Sequence, residues 1–315
     1  MKLGLTPWNF SDLSTNALSE QARVAEGLGY ESFWLPENHF NPGAIPDPLM
    51  LLAAVAAATE RIRLATTSYL LPLRNPLQAA EQVAVLDQLS RGRVLLGVGR
   101  GYAPKMLQAF NVVPREKRKL FEESLEVMIR AWQGESIMVS DAAAGERDQG
   151  GGHGVELDPL PVQKPHPPIW VAAFGPKALA QAGRLGLPYL ASPMESMSQL
   201  RANYDAHASA AEQAGHPVVA TRPIMRTVFV SENASELDAV RERLGQNVPQ
   251  DRRGEEMALD EWAVVGKGAY VREKLQEYGR ELGITHVVVT RIRVGGIEES
   301  RLRESVARVP ELIRG

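Results

Sequence analysis

An eight-stranded (β/α) barrel, an α/β TIM barrel, is the fold class that this 315-residue sequence predicts. Three observations carry it. Short apolar runs rich in branched residues alternate with helical segments whose apolar residues recur every three or four positions. That is the pattern of a parallel sheet with crossover helices. The alternation delivers eight strands, each followed by a helix. No repeat of about 20–50 residues runs along the chain, which argues against a solenoid. A doubly wound open sheet is the alternative, because strand number alone does not prove closure.

The elements follow in order. Residues 2–6 form a strand, and residues 17–28 a helix with Leu18, Ala22, Ala25 and Leu28 on one face, closed by Gly29. Residues 32–36 are a second strand and 48–59 an alanine-rich helix. The β-branched run 62–71 is a third strand. A Pro/Asn turn then leads to a helix at 77–89 and a fourth strand at 94–98. Residues 117–132 form a longer helix. Residues 140–157, with three glycines at 150–152 and no apolar period, read as a mobile insertion loop. Strands at 169–173, 189–191, 224–230 and 287–292 complete the eight. Their partner helices lie at 177–185, 200–214, 235–244 and 299–308, with one more at 269–282. The whole chain, 1–315, reads as a single barrel domain, with 245–262 a variable segment on the substrate side.

Composition narrows the function. A net charge of −3 gives no basic surface for nucleic acid or an anionic membrane. No apolar stretch reaches the ~20 residues that span a bilayer, and the N-terminus lacks a signal-peptide core. A soluble cytoplasmic protein is the expectation. Cysteine is absent, which removes disulfides, thiolate metal sites and a thiol nucleophile. The histidines are scattered without metal-binding spacing, so a catalytic metal is not expected.

In a barrel, function sits on the loops that follow the strands. Trp8 and Phe10 follow the first strand and either wall a planar ligand or plug the barrel mouth. Glu37, Asn38 and His39 follow the second. An imidazole there can exchange a proton near neutral pH, or the trio can simply hydrogen-bond the loop. Thr67, Ser68 and Tyr69 lie in the third strand, where hydroxyls are compatible with ordinary sheet structure. The fourth ends in Gly99-Arg100-Gly101-Tyr102, where an arginine suits a phosphate. The fifth ends in Phe174-Gly175-Pro176-Lys177, a strand–glycine–helix junction that can hold an anion or be only a tight turn. Arg291 and Arg293 follow the eighth and suit either a phosphate or surface ion pairs.

Four stretches carry a family resemblance: WLPENHF, LPLRNPLQAAEQVAVLDQLSRGRVLLGVGRGY, PLPVQKPHPPIWVAAFGPKALAQAGRLGLP and VGKGAYVREKLQEYGRELGIT. They resemble the luciferase-like monooxygenase superfamily of flavin- and deazaflavin-dependent barrel oxidoreductases. The resemblance implies a non-prolyl cis peptide at Thr67–Ser68 against which the flavin ring rests. It implies phosphate contacts from Arg100, Gly101 and Tyr102 and from the backbone at Phe174 and Gly175. His39 becomes the acid/base or hydrogen-bond donor near the ring, with Asn38 and Glu37 orienting it. A substrate pocket lined by Trp8, Phe10, Tyr69 and Met194 follows.

The cofactor implied is reduced FMN, supplied by a separate flavin reductase because no nicotinamide fingerprint is present. The activity is oxygenation of a small, partly apolar molecule. Asn38 stands where the bacterial luciferases have their catalytic histidine. His39 and Gly175-Pro176-Lys177 resemble the deazaflavin (coenzyme F420) branch instead, with hydride transfer as its activity. A non-catalytic flavin-binding or partner subunit is the third possibility, and a homodimer the expected assembly.

Overall fold

The computed structural model describes residues 1–10, 12, 14–139, 153–246, 248, 256–290, 294 and 296–314. Its main sheet is built from parallel strands in ring order: β1 (Lys2–Leu5), β2 (Ser32–Leu35), β3 (Arg63–Thr66, resuming at Tyr69–Leu70), β4 (Val94–Gly99), β5 (Ile169–Ala172), β6 (Tyr189–Leu190), β7 (Pro223–Val230) and β8 (His286–Thr290). Ladders join consecutive strands from β1 to β6, and join β7 to β8 and β8 to β1. Between β6 and β7 the ring closes through one bridge, Ala191 to Ile224. The Ala191 N–H donates to the Pro223 carbonyl at 3.2 Å, and the Met225 N–H to the Ala191 carbonyl at 3.3 Å. The open-sheet alternative is thereby excluded.

Helices α1 (Thr15–Leu28), α2 (Pro48–Ala58), α3 (Pro76–Leu89), α4 (Pro104–Ala109), α5 (Lys117–Trp132), α6 (Pro176–Arg184), α7 (Met197–Gln213), α8 (Ala234–Gly245), α9 (Leu259–Trp262), α10 (Gly268–Leu282) and α11 (Glu299–Arg314) connect the strands. Their ends are set locally. Asn75 caps α3 by accepting from the Leu77 and Gln78 N–H groups at 2.9 and 3.2 Å. Gly29 ends α1 at φ 83°, a left-handed conformation that costs glycine nothing.

Inward side chains of the strands fill the barrel as a packed core. Trp34 and Trp170 stack with ring centroids 5.2 Å apart. Ala65, Leu95, Leu190, Met225 and Val288 join them. β1 contributes no side chain at this level, since a Cβ on Gly4 would collide with the Trp34 indole. The outward faces of the strands and the inner faces of the helices form a second, larger core that includes Trp132 and Trp262.

Four features depart from the expectation. Ala263–Gly266 is a further parallel strand, on the second half of β7. α4 is a helix in a stretch, between Tyr102 and residue 117, to which the sequence assigned no element. Within the expected mobile loop, His153–Val155 forms a strand antiparallel to Ile137–Val139, so that end of the segment is a hairpin arm; residues 140–152 lie outside the described residues. Lastly, the third strand is broken between Thr66 and Tyr69.

Candidate active site

The break in β3 shapes the barrel mouth. Ala65 pairs with Leu95 and Tyr69 with Val98, so a step of four residues along β3 faces a step of three along β4. The extra residue is a bulge, a device that re-aims side chains at a barrel rim. The Thr67–Ser68 peptide within it is cis. Thr67 and Ser68 are half-buried. The Thr66 hydroxyl donates to the Gly97 carbonyl at 2.8 Å, and the Thr67 hydroxyl contacts the Met225 sulfur at 3.1 Å. The bulge crowds β4 so closely that a Cβ on Gly97 would strike the Thr66 carbonyl oxygen, and one on Gly99 the Ser68 side chain. The glycines of the fourth strand therefore serve the neighbouring strand.

β2 ends at Leu35, and a side chain takes over its pairing. The Glu37 carboxylate, fully buried, accepts from the Leu70 N–H through Oε2 at 2.9 Å. Its Oε1 faces both His39 Nε2 at 2.9 Å and Arg74 Nη2 at 2.8 Å. Arg74 in turn donates through Nη1 to the Leu70 carbonyl at 2.9 Å. Both backbone groups of Leu70 are thus held by the two members of one ion pair. The Arg74 guanidinium also lies 4.0 Å from the centre of the Tyr69 ring. Burial pushes the Tyr69 hydroxyl far above its usual range, and it meets Gln82 Oε1 at 3.1 Å.

His39 packs edge-on to Phe110 at 4.8 Å and lies 5.7 Å from Phe40, whose φ of 63° is unusual for a bulky residue. Asn38 does not touch His39. Its side-chain oxygen accepts from the Ile45 N–H at 2.8 Å, closing the loop that Glu37 and His39 begin. Of the two residues expected to orient His39, Glu37 is in contact and Asn38 is committed elsewhere.

At the end of β4, Arg100 reaches across to the next strand. It donates to Gln181 Oε1 at 2.9 Å and to the Ala172 carbonyl at 3.1 Å, with its guanidinium 5.3 Å from the Phe121 ring centre. Among the described residues it has no carboxylate partner. Burial, and then the charge of Arg118, push it down to about 10. Lys117 donates to the Gly101 carbonyl at 2.9 Å, and it too is lowered, by burial and then by Arg100. Beyond burial, Arg100 and Lys117 are thus each lowered by neighbouring cations, Arg118 among them. The N-cap of α6 is Gly175, at φ 85°, with no side-chain cap and no atom within 4 Å of where a Cβ would stand. Arg100, anchored on the Ala172 carbonyl at the end of β5, and the uncapped N-terminus of α6 that follows are a donor set that fits a phosphate. Tyr102 is 90% exposed and Phe174 69% exposed at the same rim.

The expected pocket lining divides. Tyr69 and Trp8 are 0% and 6% exposed. Arg74 lies over the Tyr69 ring, and the Trp8 indole donates to Glu299 Oε1 at 3.2 Å. Phe10 is half-buried against the core, and Met194 is half-buried in the loop after β6. That loop is pinned from below. Glu195 accepts from the Tyr189 hydroxyl at 2.5 Å and from the Asn203 amide at 2.7 Å. The fully buried Arg226 donates to the Ser192, Pro193 and Glu195 carbonyls at 3.3, 3.4 and 2.6 Å. Arg291 and Arg293 lie outside the described residues.

Arg74, Lys117, Gln181 and Phe110 escaped sequence reasoning. Arg74 sits in a Pro/Asn turn, and the others are on or beside helices far along the chain from the residues they meet.

Fold and rim together define a (β/α)8 barrel that carries an anion cradle and a carboxylate-bound histidine on one face. The chain belongs to the luciferase-like monooxygenase family, whose model matches residues 7–286. An uncharacterized protein of Sinorhizobium fredii is 33% identical over 59% of this chain and 55% of its own length. The alkanal monooxygenase alpha chain of Photorhabdus laumondii is 26% identical over 64% of this chain and 55% of its own. The chain thus spans little more than half the length of these relatives. Among solved structures, the FMN-bound oxygenating constituent of 3,6-diketocamphane monooxygenase from Pseudomonas putida superposes with a TM-score of 0.80. It is 18% identical over 99% of this chain and 98% of that one. The coenzyme F420-dependent tetrahydromethanopterin reductase of Methanopyrus kandleri gives 0.72, at 17% identity over 99% and 98%. No helix among the described residues is long and apolar enough to cross a membrane.

Proposed function

We propose that the protein is a flavin-dependent monooxygenase that takes reduced FMN from a separate reductase and oxygenates a small, partly apolar substrate. The observation that carries this reading is Arg100, without a carboxylate partner among the described residues and anchored on the end of β5 that leads into the uncapped start of α6. Arg100 and the backbone at Phe174 and Gly175, with Gly101 and Tyr102 alongside, would hold the phosphate. Thr67 and Ser68 would support the ring. When bound, reduced FMN supplies the electrons for oxygen activation. The chain's own residues do the rest. His39 holds or releases a proton near the ring, Glu37 orients it, and the aromatic rim of Phe40 and Phe110 limits water. The working unit is proposed to be a homodimer.

A second reading, hydride transfer with the deazaflavin coenzyme F420, draws on His39, a single carboxylate-held imidazole at the mouth. Fluorescence titration with reduced FMN and with F420, followed by substrate-dependent oxygen consumption, separates the two. Tight binding of FMN with oxygen uptake supports the first reading. Binding of F420 alone overturns it. Binding without any turnover, unchanged in His39→Ala, would point instead to a non-catalytic flavin-binding subunit.

A further inference from the structure

We infer that Arg74 is a positioning residue which, acting through Glu37, decides which nitrogen of His39 carries a proton and leaves Nδ1 as the atom that exchanges a proton with the ligand in the mouth. The inference rests on the proposed role of His39 and deepens it.

Glu37 Oε1 and Oε2 face three groups: the Leu70 N–H, the Arg74 guanidinium and His39 Nε2. The first two can only donate. A carboxylate that receives both is an acceptor throughout, so the third contact must also be a donation, from Nε2–H. The imidazole is thereby held with its proton on Nε2. Nδ1 has no hydrogen-bond partner among the described residues, and it is not a sealed-off buried atom. The lone pair that can take up a proton is therefore on Nδ1.

Charge balance explains why the arginine is needed. Glu37 is fully buried and Arg74 is 16% exposed in its side chain. One carboxylate against one guanidinium is neutral, and a protonated His39 would add an uncompensated charge to a site with little water. Without Arg74, the imidazole would be the only cation available to the buried carboxylate. The imidazolium form, which has no lone pair to accept a proton, would then be favoured. Of the other groups around the cluster, Tyr69 is kept neutral by burial and Phe40 and Phe110 carry no charge, while the Asp47 carboxylate, whose charge reaches Tyr69, is engaged at the Met50 N–H as the cap of α2. Arg74 also clamps the Leu70 carbonyl, so the setting of His39 is tied mechanically to the bulge that carries Thr67 and Ser68.

The test uses the full chain with histidine rings labelled with nitrogen-15 and no cofactor added, with the His39 signals assigned by His39→Gln. In the wild type the neutral His39 ring should be the Nε2–H tautomer. Arg74→Ala should shift the His39 protonation equilibrium toward imidazolium by about tenfold or more, the scale of a close charge's effect. Arg74→Lys should keep the neutral ring, and added guanidinium should restore it in Arg74→Ala. Glu37→Gln should lose the tautomer preference without gaining imidazolium. An Nδ1–H tautomer in the wild type overturns the inference even if every variant misfolds. So does an Arg74→Ala spectrum identical to wild type. Because no flavin is present, either failure is independent of the FMN titration that tests the proposed function.

Discussion

Arg100 is aimed by an amide rather than neutralised by a carboxylate: its Nη1 donates to Gln181 Oε1 at 2.9 Å. Gln181 is itself fully buried and passes its own Nε2 protons to Glu122 Oε2 at 2.8 Å and to the Arg118 carbonyl at 3.2 Å. The cation keeps its charge available to a ligand while its direction is fixed.

Arg100→Met should therefore weaken FMN binding by roughly 10- to 100-fold, the value of one or two hydrogen bonds to a charged group (about 1.5–3 kcal/mol). Riboflavin, which has the same ring and no phosphate, should bind wild type and variant alike. Equal losses for both ligands in a fluorescence titration would remove Arg100 from the phosphate site.

The same cradle makes an alkaline limb. Burial first, and then Arg118, bring Arg100 down to about 10, and Lys117 is lowered in the same direction. Only the protonated forms attract a phosphate. The ratio of FMN to riboflavin affinity should hold level to about pH 9 and fall as pH rises through about 10. A ratio flat to pH 11 would show that the backbone alone carries the anion.

Gly97→Ala tests the bulge. The added methyl meets a backbone carbonyl, Thr66 O, which cannot swing aside as a side chain would. A loss of about 1–3 kcal/mol in unfolding free energy is expected, from the range for overpacked sites. Denaturant melts measure it, and a neutral result would mean that β3 shifts more freely than its pairing implies.

His286 should couple stability to acid. Burial is the main cause that brings it down to about 4 from 6.5, with the charges of Lys2 and Arg63 adding and that of Glu31 opposing. Its ring packs edge-on to Trp170 at 5.0 Å, and Nδ1 lies 2.8 Å from the Thr285 hydroxyl. Between those two pH values the unfolded chain binds a proton that the folded chain refuses. The stabilising preference is whole above pH 6.5 and is lost as pH falls toward 4. Thermal melts should show a steeper decline over that window in wild type than in His286→Asn. Parallel declines would assign the effect to other groups.

The barrel strands were legible because period and composition suffice for elements buried on both sides, and the structure moves most boundaries by only a residue or two. What escaped was short or non-local. Ala263–Gly266 offers too brief an apolar run, straight after α9, to stand out as a strand. The third strand read as one run because a bulge exists only relative to its partner strand. At the site, His39, Glu37 and Arg100 were visible as polar residues at strand ends. Arg74 was not, since an arginine in a Pro/Asn turn looks like surface until Glu37 is seen beneath it. Trp8 and Tyr69 were visible too, but large aromatics near a strand end serve a pocket or the core equally well, and their partners Glu299 and Arg74 show only in the structure.

The single bridge between β6 and β7 has a counterpart in Arg226. Around most of the ring, neighbouring strands are stitched by backbone ladders that no substitution can remove. Along this one seam the ladder is almost absent. A guanidinium reaching the carbonyls of Ser192, Pro193 and Glu195 supplies cross-links instead. Much of the cohesion of the wall under the Met194 loop therefore rests on one side chain, beside the Glu195 contacts to Tyr189 and Asn203. A change at Arg226 would loosen this edge of the mouth, where backbone pairing is thinnest, and leave the other seams laced.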